Sequence, residues 1–167
     1  MSRLLVLQNR LKVRARYDRL AAHQARAFDA IVDLWRYPEA VNLHGPAGAG
    51  KTFLGWALAH DRDALSFAAP ELFDPANLPP GRPLIIDNVD SDDRPLRRLL
   101  AAVQLTGPRP ALFISRRPTP DLLPVVALPP PGPDDVTVVL HNLSELEHYC
   151  LQDPTTADLW AVVHTTL

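Results

Sequence analysis

Eight residues, Gly45-Pro46-Ala47-Gly48-Ala49-Gly50-Lys51-Thr52, constrain this chain more than any other part of it. They satisfy the pattern G-x-x-x-x-G-K-[ST]. Glycine permits backbone angles and close approaches that a side chain would block. Successive N–H groups can therefore turn inward and, with the first turn of a following helix, form a cradle of positive potential that suits a phosphate. The pattern has mechanical meaning only between a strand and a helix, and both flanks comply. The apolar segment Ala40-Val41-Asn42-Leu43-His44 is too short for a helix and reads as a buried strand, while Phe53, Leu54, Ala57 and Leu58 recur at helical spacing from Lys51 to His60.

The rest of the chain alternates in the same way. Leu20, Ala21, Ala25, Phe28, Ile31, Val32 and Trp35 predict a helix from Tyr17 to Trp35, closed by Pro38. Strands are expected at Ala64–Ala68, Pro83–Asp87, Ala111–Ser115 and Val136–Leu140, with a helix through Leu96, Leu99, Leu100, Val103 and Leu105 that Gly107-Pro108 stops. Pro118 to Pro133 holds seven prolines and reads as a stiff surface connection. Ser144 with Glu147 three residues on reads as a capping box opening a short helix, and Pro154 begins a last one. Strand–helix alternation calls for a three-layer α/β/α sandwich on a five-stranded, mainly parallel sheet. The expected organisation is a basic arm over 1–16, a core over 17–151 and a C-terminal helix over 152–167.

Two further segments complete the candidate site. Leu84-Ile85-Ile86-Asp87 is a hydrophobic strand ending in an acid, 36 residues beyond Lys51. Such a strand delivers its acid to the carboxyl edge of the sheet, where ligands of open α/β sheets bind. There Asp87 would hold the water shell of a Mg²⁺ ion whose protein ligand is Thr52, with Lys51 between the β- and γ-phosphates. Phe113-Ile114-Ser115-Arg116-Arg117 ends the next strand. If that strand lies between the other two, Ser115 and Arg116 face the γ-phosphate; otherwise they belong to a loop carrying two exposed arginines.

In this order the three segments resemble the additional-strand division of P-loop ATPases, the AAA+ and STAND group, over residues 17–151. The ending from Val138 through Leu143-Ser144-Glu145-Leu146-Glu147 is similar to the close of such cores, and to replication-initiator relatives and the ATP-binding helpers of transposases. The resemblance implies ATP and Mg²⁺ as ligands, bound by Gly45, Pro46, Ala47, Gly48, Ala49, Gly50, Lys51 and Thr52, with the metal at Thr52 and Asp87. Hydrolysing members place a second acid directly after the first. Here that position is Asn88, which takes no proton at neutral pH, so hydrolysis is expected to be slow or absent. Asp90 is the substitute base, and Asp92 and Asp93 read as the cap of the next helix. No segment carries the signature of a helical lid or winged-helix domain. The guanine-reading Asn-Lys-x-Asp segment is missing, and the proline-rich stretch has too few arginines for a small-molecule kinase lid.

Composition narrows the setting. The first 26 residues hold seven basic residues against Asp18 alone, so in a chain of net charge −2 the remainder is acidic. A basic arm can meet nucleic acid, and the same residues also suit a solvated helix face. The single cysteine, Cys150, forms no internal disulfide; the start lacks a signal peptide, and no apolar run is long enough to cross a membrane, so a cytoplasmic protein is expected. The six histidines lack metal-ligand spacing and are assigned to surface or satisfied core positions, and the tryptophans and Cys150 to packing. The leading expectation is an ATP-binding switch or scaffold acting through partner proteins, as subunits of a complex or as copies of itself. The alternative is an ATPase helper or loader on nucleic acid; a third reading is an interaction protein whose pocket takes no nucleotide.

Overall fold

A computed structural model describes residues 3–119 and 122–145. In chain order the elements are α1 (Arg3–Arg14), α2 (Ala22–Leu34), β1 (Ala40–His44), α3 (Lys51–Asp61), β2 (Leu65–Phe67), β3 (Leu84–Ile86), α4 (Asp93–Gln104), β4 (Ala111–Ser115), β5 (Val125–Ala127) and α5 (Pro133–Ser144), with short 3-10 turns at Tyr17–Arg19, Pro70–Leu72 and Pro75–Asn77. The sheet runs β2-β3-β4-β1-β5 and all four pairings are parallel. The fold is the three-layer α/β/α sandwich with a five-stranded parallel sheet, and β4 lies between β1 and β3.

Side chains alternate across the sheet because successive residues of a strand point to opposite faces. Val41, Leu43, Ile85, Leu112 and Ile114 meet Phe28 and Ile31 of α2 and Leu54, Ala57 and Leu58 of α3. Leu84, Ile86, Ala111 and Phe113 meet Leu96 and Val103 of α4 on the other face. Buried on both faces, strands β3 and β4 carry the continuous apolar runs typical of parallel sheets. Among the described residues no helix is long and apolar enough to cross a membrane.

Three expectations are corrected. Val136–Leu140 is not the fifth strand but part of α5: Pro133 opens that helix, the Asp135 carboxylate accepts the Gly132 N–H at 2.9 Å, and Asp134 and Asp135 sit favourably in its first turn. The fifth strand lies instead inside the proline-rich stretch, as Val125–Ala127. Proline is tolerated there because this is an edge strand, and Pro124 contributes only its carbonyl, to Asn42 N–H at 2.9 Å. Ser144 opens no helix: it is the last residue of α5, its hydroxyl donating to the His141 carbonyl, and Glu147 falls outside the described residues. The helix begun by Pro154 also falls outside them. Tyr17 to Trp35 is one 3-10 turn and then α2, the break falling at Leu20 and Ala21, whose backbones are extended.

Candidate functional site

The loop between β1 and α3 is built by close approach. Leu128, just after β5, donates its N–H to the His44 carbonyl at 2.7 Å, and this draws the Leu128 carbonyl so near Gly45 that any Cβ would collide with it. Gly48 and Gly50 take positive φ of 77° and 86°, angles that glycine adopts without strain. Gly50 caps α3, whose first turn leaves orphan donors. Among the described residues the N–H groups of Gly48, Gly50, Lys51 and Thr52 donate to no protein acceptor. The Lys51 ammonium folds back onto the carbonyls of Gly45 and Pro46, at 2.7 Å each.

Opposite stands Asp87, at the end of β3. Its Oδ2 accepts the Thr52 hydroxyl at 2.7 Å and its Oδ1 accepts the N–H of Asn88 at 2.7 Å. Burial pushes the Asp87 carboxyl above the ordinary carboxylate range, against the pull of these two donors and of Lys51. Burial likewise lowers the Lys51 ammonium; Asp87 opposes that and the positive charge of Arg116 reinforces it. The His44 imidazole is lowered by burial and by Lys51. Lysine, arginine and free N–H groups thus converge on one cleft of about 650 Å³, which Asp87, Asn88, Asp90, Ser115, Arg116 and Arg117 also line. Asp87, Asp90 and Asp92 balance the three cations over the cleft as a whole, so an anion is favoured at the loop end, where the free N–H groups and Lys51 stand.

The remaining sequence candidates are each held in a definite way. Asn88 sits in the left-handed region at φ 55°, which asparagine tolerates better than most residues, and its amide donates to the Ala68 carbonyl at 2.9 Å. Asp90 lines the cleft and its carboxylate accepts the Asp92 N–H at 3.1 Å. Asp92 is the residue before α4 but makes no side-chain cap. The Ser115 hydroxyl donates to the Arg117 carbonyl at 2.7 Å and accepts from the Asn42 amide at 2.8 Å, so its proton is committed within the protein. Arg116 stands at the rim, exposed.

Three contributors escaped the sequence reading. Asn42, fully buried in β1, donates to the Phe113 carbonyl and Ser115 and accepts the Thr119 N–H, which ties down the turn carrying Arg116. A polar residue among the apolar residues of β1 was its only signal. His23 and Gln24, at the start of α2, are buried against the carbonyls of Ala49 and Gly50; no motif announces them.

Chemically, the cleft offers main-chain donors and three cations, Lys51, Arg116 and Arg117, to a phosphate chain, and a hydroxyl and a carboxylate as a pair of hard oxygen donors to a divalent cation. Among the described residues no group of three or more histidine, cysteine or acidic side chains stands together to hold a metal by itself. A hard cation here would draw its other ligands from water and phosphate oxygens, as Mg²⁺ does. The fold is compatible with nucleotide-binding proteins in general. No protein-family model matches this chain, and comparison with curated proteins finds no relative.

Proposed function

We propose that this protein is a magnesium-dependent ATP-binding switch or scaffold of the AAA+/STAND kind, acting through partner proteins, with slow hydrolysis or none. The observation that carries the reading is the contact between the Thr52 hydroxyl, in the first turn of α3, and the Asp87 carboxylate at 2.7 Å, with β4 intervening between β1, which leads into the loop, and β3. Thr52 and Asp87 would hold Mg²⁺, Thr52 directly and Asp87 through water, and the ion would supply charge neutralisation to the phosphates. The N–H groups of Gly48, Gly50, Lys51 and Thr52 would bind the β-phosphate, and Lys51 would leave its carbonyl partners for the β- and γ-oxygens. Arg116, at the rim of the same cleft, would meet the γ-phosphate. Ser115 acts by holding the Arg117 backbone, since its hydroxyl is already paired. Weak turnover follows from Asn88, whose amide is tied to Ala68 and takes no proton from water.

Equilibrium titration with a fluorescent ATP analogue, with and without Mg²⁺, tests the reading. Wild type is expected to bind, and Lys51→Ala to bind at least about ten-fold more weakly, the loss of one charge-assisted contact. A wild-type protein that binds no analogue at millimolar concentration would sink it.

The exposed Arg10 and Lys12 on α1 favour a second reading, an ATPase helper on nucleic acid. Arg14 and Arg16 partly spend their guanidinium groups on the carbonyls of Glu145, Val13 and Ala15. Under this reading DNA binding weakens steeply with salt and disappears when Arg10, Lys12, Arg14 and Arg16 become alanine.

A further inference from the structure

We propose that His23 is a positioning residue that joins the phosphate-facing end of the Gly45–Thr52 loop to α5, so that phosphate binding and the seating of α5 favour each other; the phosphate half of this statement rests on the nucleotide reading above. A trans peptide points its C=O and N–H in opposite directions. His23 Nε2 lies 3.1 Å from the Ala49 carbonyl oxygen, and the Gln24 side-chain amide donates to the Gly50 carbonyl at 3.0 Å. Fixing those two carbonyls fixes the N–H groups at the other ends of the same peptide planes, which belong to Gly50 and Lys51. Two consecutive side chains of α2 therefore aim two consecutive donors of the cradle. Gln24 is itself anchored, its Oε1 accepting the Ala21 N–H at 3.0 Å.

The other edge of the His23 ring faces α5. Nδ1 lies 3.0 Å from Asp135 Oδ1, a close electrostatic contact whose angle falls outside that of a hydrogen bond. The second oxygen of Asp135 accepts the Gly132 N–H at 2.9 Å, so one carboxylate both caps α5 and meets the histidine. Further along, Asn142 donates to the Arg19 carbonyl at 2.8 Å and Glu145 pairs with Arg19. Helix α5 is thus moored along the segment that delivers His23, and Asp135 is its only described mooring that reaches toward the loop. A phosphate that tightens the loop fixes the His23 acceptor and with it the partner of Asp135; a protein that lifts α5 withdraws that partner. Coupling of this kind is reciprocal by thermodynamic necessity.

Two variants separate the roles of the ring nitrogens. His23→Gln keeps a donor near the Ala49 carbonyl and removes the group that faces Asp135, whereas Asp135→Asn keeps an acceptor for the Gly132 N–H and removes the charge. In amide NMR spectra of the ligand-free protein, Asp135→Asn is expected to move the Gly50 and Lys51 resonances, and the same spectra report whether each variant is folded. The His23 N–H also donates to Asp135 Oδ1, at 3.5 Å, and stays in every His23 variant; in titrations with magnesium and ATP, Asp135→Asn should therefore weaken binding about five- to ten-fold in the wild-type background and by less in the His23→Gln background. His23→Ala should bind more weakly than His23→Gln, which restores the donor. Amide exchange across 136–144 should slow on nucleotide binding in wild type and not in His23→Gln. Unmoved Gly50 and Lys51 resonances with wild-type affinity in Asp135→Asn overturn the coupling and leave the nucleotide reading standing. Moved resonances in a protein that binds no ATP establish the link and remove the nucleotide reading instead.

Discussion

The side-chain amide of Asn42 donates to the Ser115 hydroxyl across 2.8 Å at the centre of the sheet, and its oxygen accepts the Thr119 N–H at 3.2 Å. A buried amide in a parallel sheet is tolerated because its hydrogen-bonding groups are used: the other donation goes to the Phe113 carbonyl at 3.1 Å. Asn42→Leu leaves the Thr119 N–H and one Ser115 lone pair unpaired among buried residues. The expected cost is about 2–4 kcal/mol, two desolvated polar groups at roughly the penalty each carries. Urea unfolding reads this as a lower midpoint at unchanged slope. Because the network holds the turn that presents Arg116, the variant should also bind ATP more weakly than Ser115→Ala does.

Asp87→Asn should separate stability from binding. The Asp87 carboxyl is raised above its ordinary value of 3.8, chiefly by burial. A group whose folded value is raised supports the fold below its unfolded value, and that support is lost as pH climbs through the folded value. At neutral pH the ionised Asp87 is therefore a net cost in the ligand-free protein. Asparagine keeps an acceptor for the Asn88 N–H and an amide that can donate to Thr52. Its thermal midpoint at pH 7 is expected to be equal or higher, by the equivalent of about 1 kcal/mol, a common pattern at functional sites. Titration of Mg²⁺ into the ATP complex should meanwhile show the metal dependence gone. A variant less stable than wild type at pH 7 would contradict the electrostatic argument.

The sequence reading placed β1, β4 and the start of α3 where they stand, because a glycine-rich loop between an apolar strand and an amphipathic helix leaves little freedom. It failed where local and tertiary preferences oppose each other. Val136, Val138 and Val139 are β-formers by type, yet they lie in a helix opened by Pro133 and moored by Asp135 and Asn142. Val125–Ala127 is three residues among prolines, and only its pairing with β1 makes it a strand. Contacts such as His23 with Ala49 span 26 positions and leave no periodic trace. By contrast, the approach of Thr52 to Asp87 was legible, since both ends were set by motifs.

Asn88 tests the expectation of slow turnover. Its left-handed backbone and its bond to Ala68 are structural services, so Asn88→Ala should lose about 1–2 kcal/mol of stability. Single-turnover cleavage of ATP should be slow in wild type and unchanged in this variant. If Asp90 acts as the base, Asp90→Asn lowers the residual rate about a hundred-fold, the usual worth of general-base assistance. Fast wild-type cleavage that survives both substitutions would refute the account of weak hydrolysis.

Gly45→Ala should be costly for a reason unrelated to backbone angle. An added methyl group would collide with the Leu128 carbonyl, and Leu128 cannot retreat without breaking its 2.7 Å bond to the His44 carbonyl. The obstacle is main chain on both sides, so the strain must be taken up by β5 parting from β1 or by the loop itself shifting. A loss of about 1–3 kcal/mol is expected, the usual range for forced overpacking. ATP affinity should fall by about ten-fold or more, since every donor of the cradle is positioned from Gly45 onward. Gly81→Ala is the control: Gly81 also has a positive φ, of 76°, but nothing lies within 4 Å of the added methyl. It should pay only the left-handed penalty, about 1–2 kcal/mol, and keep wild-type affinity. Equal losses of affinity in the two variants would show that the collision at Leu128 does not shape the loop.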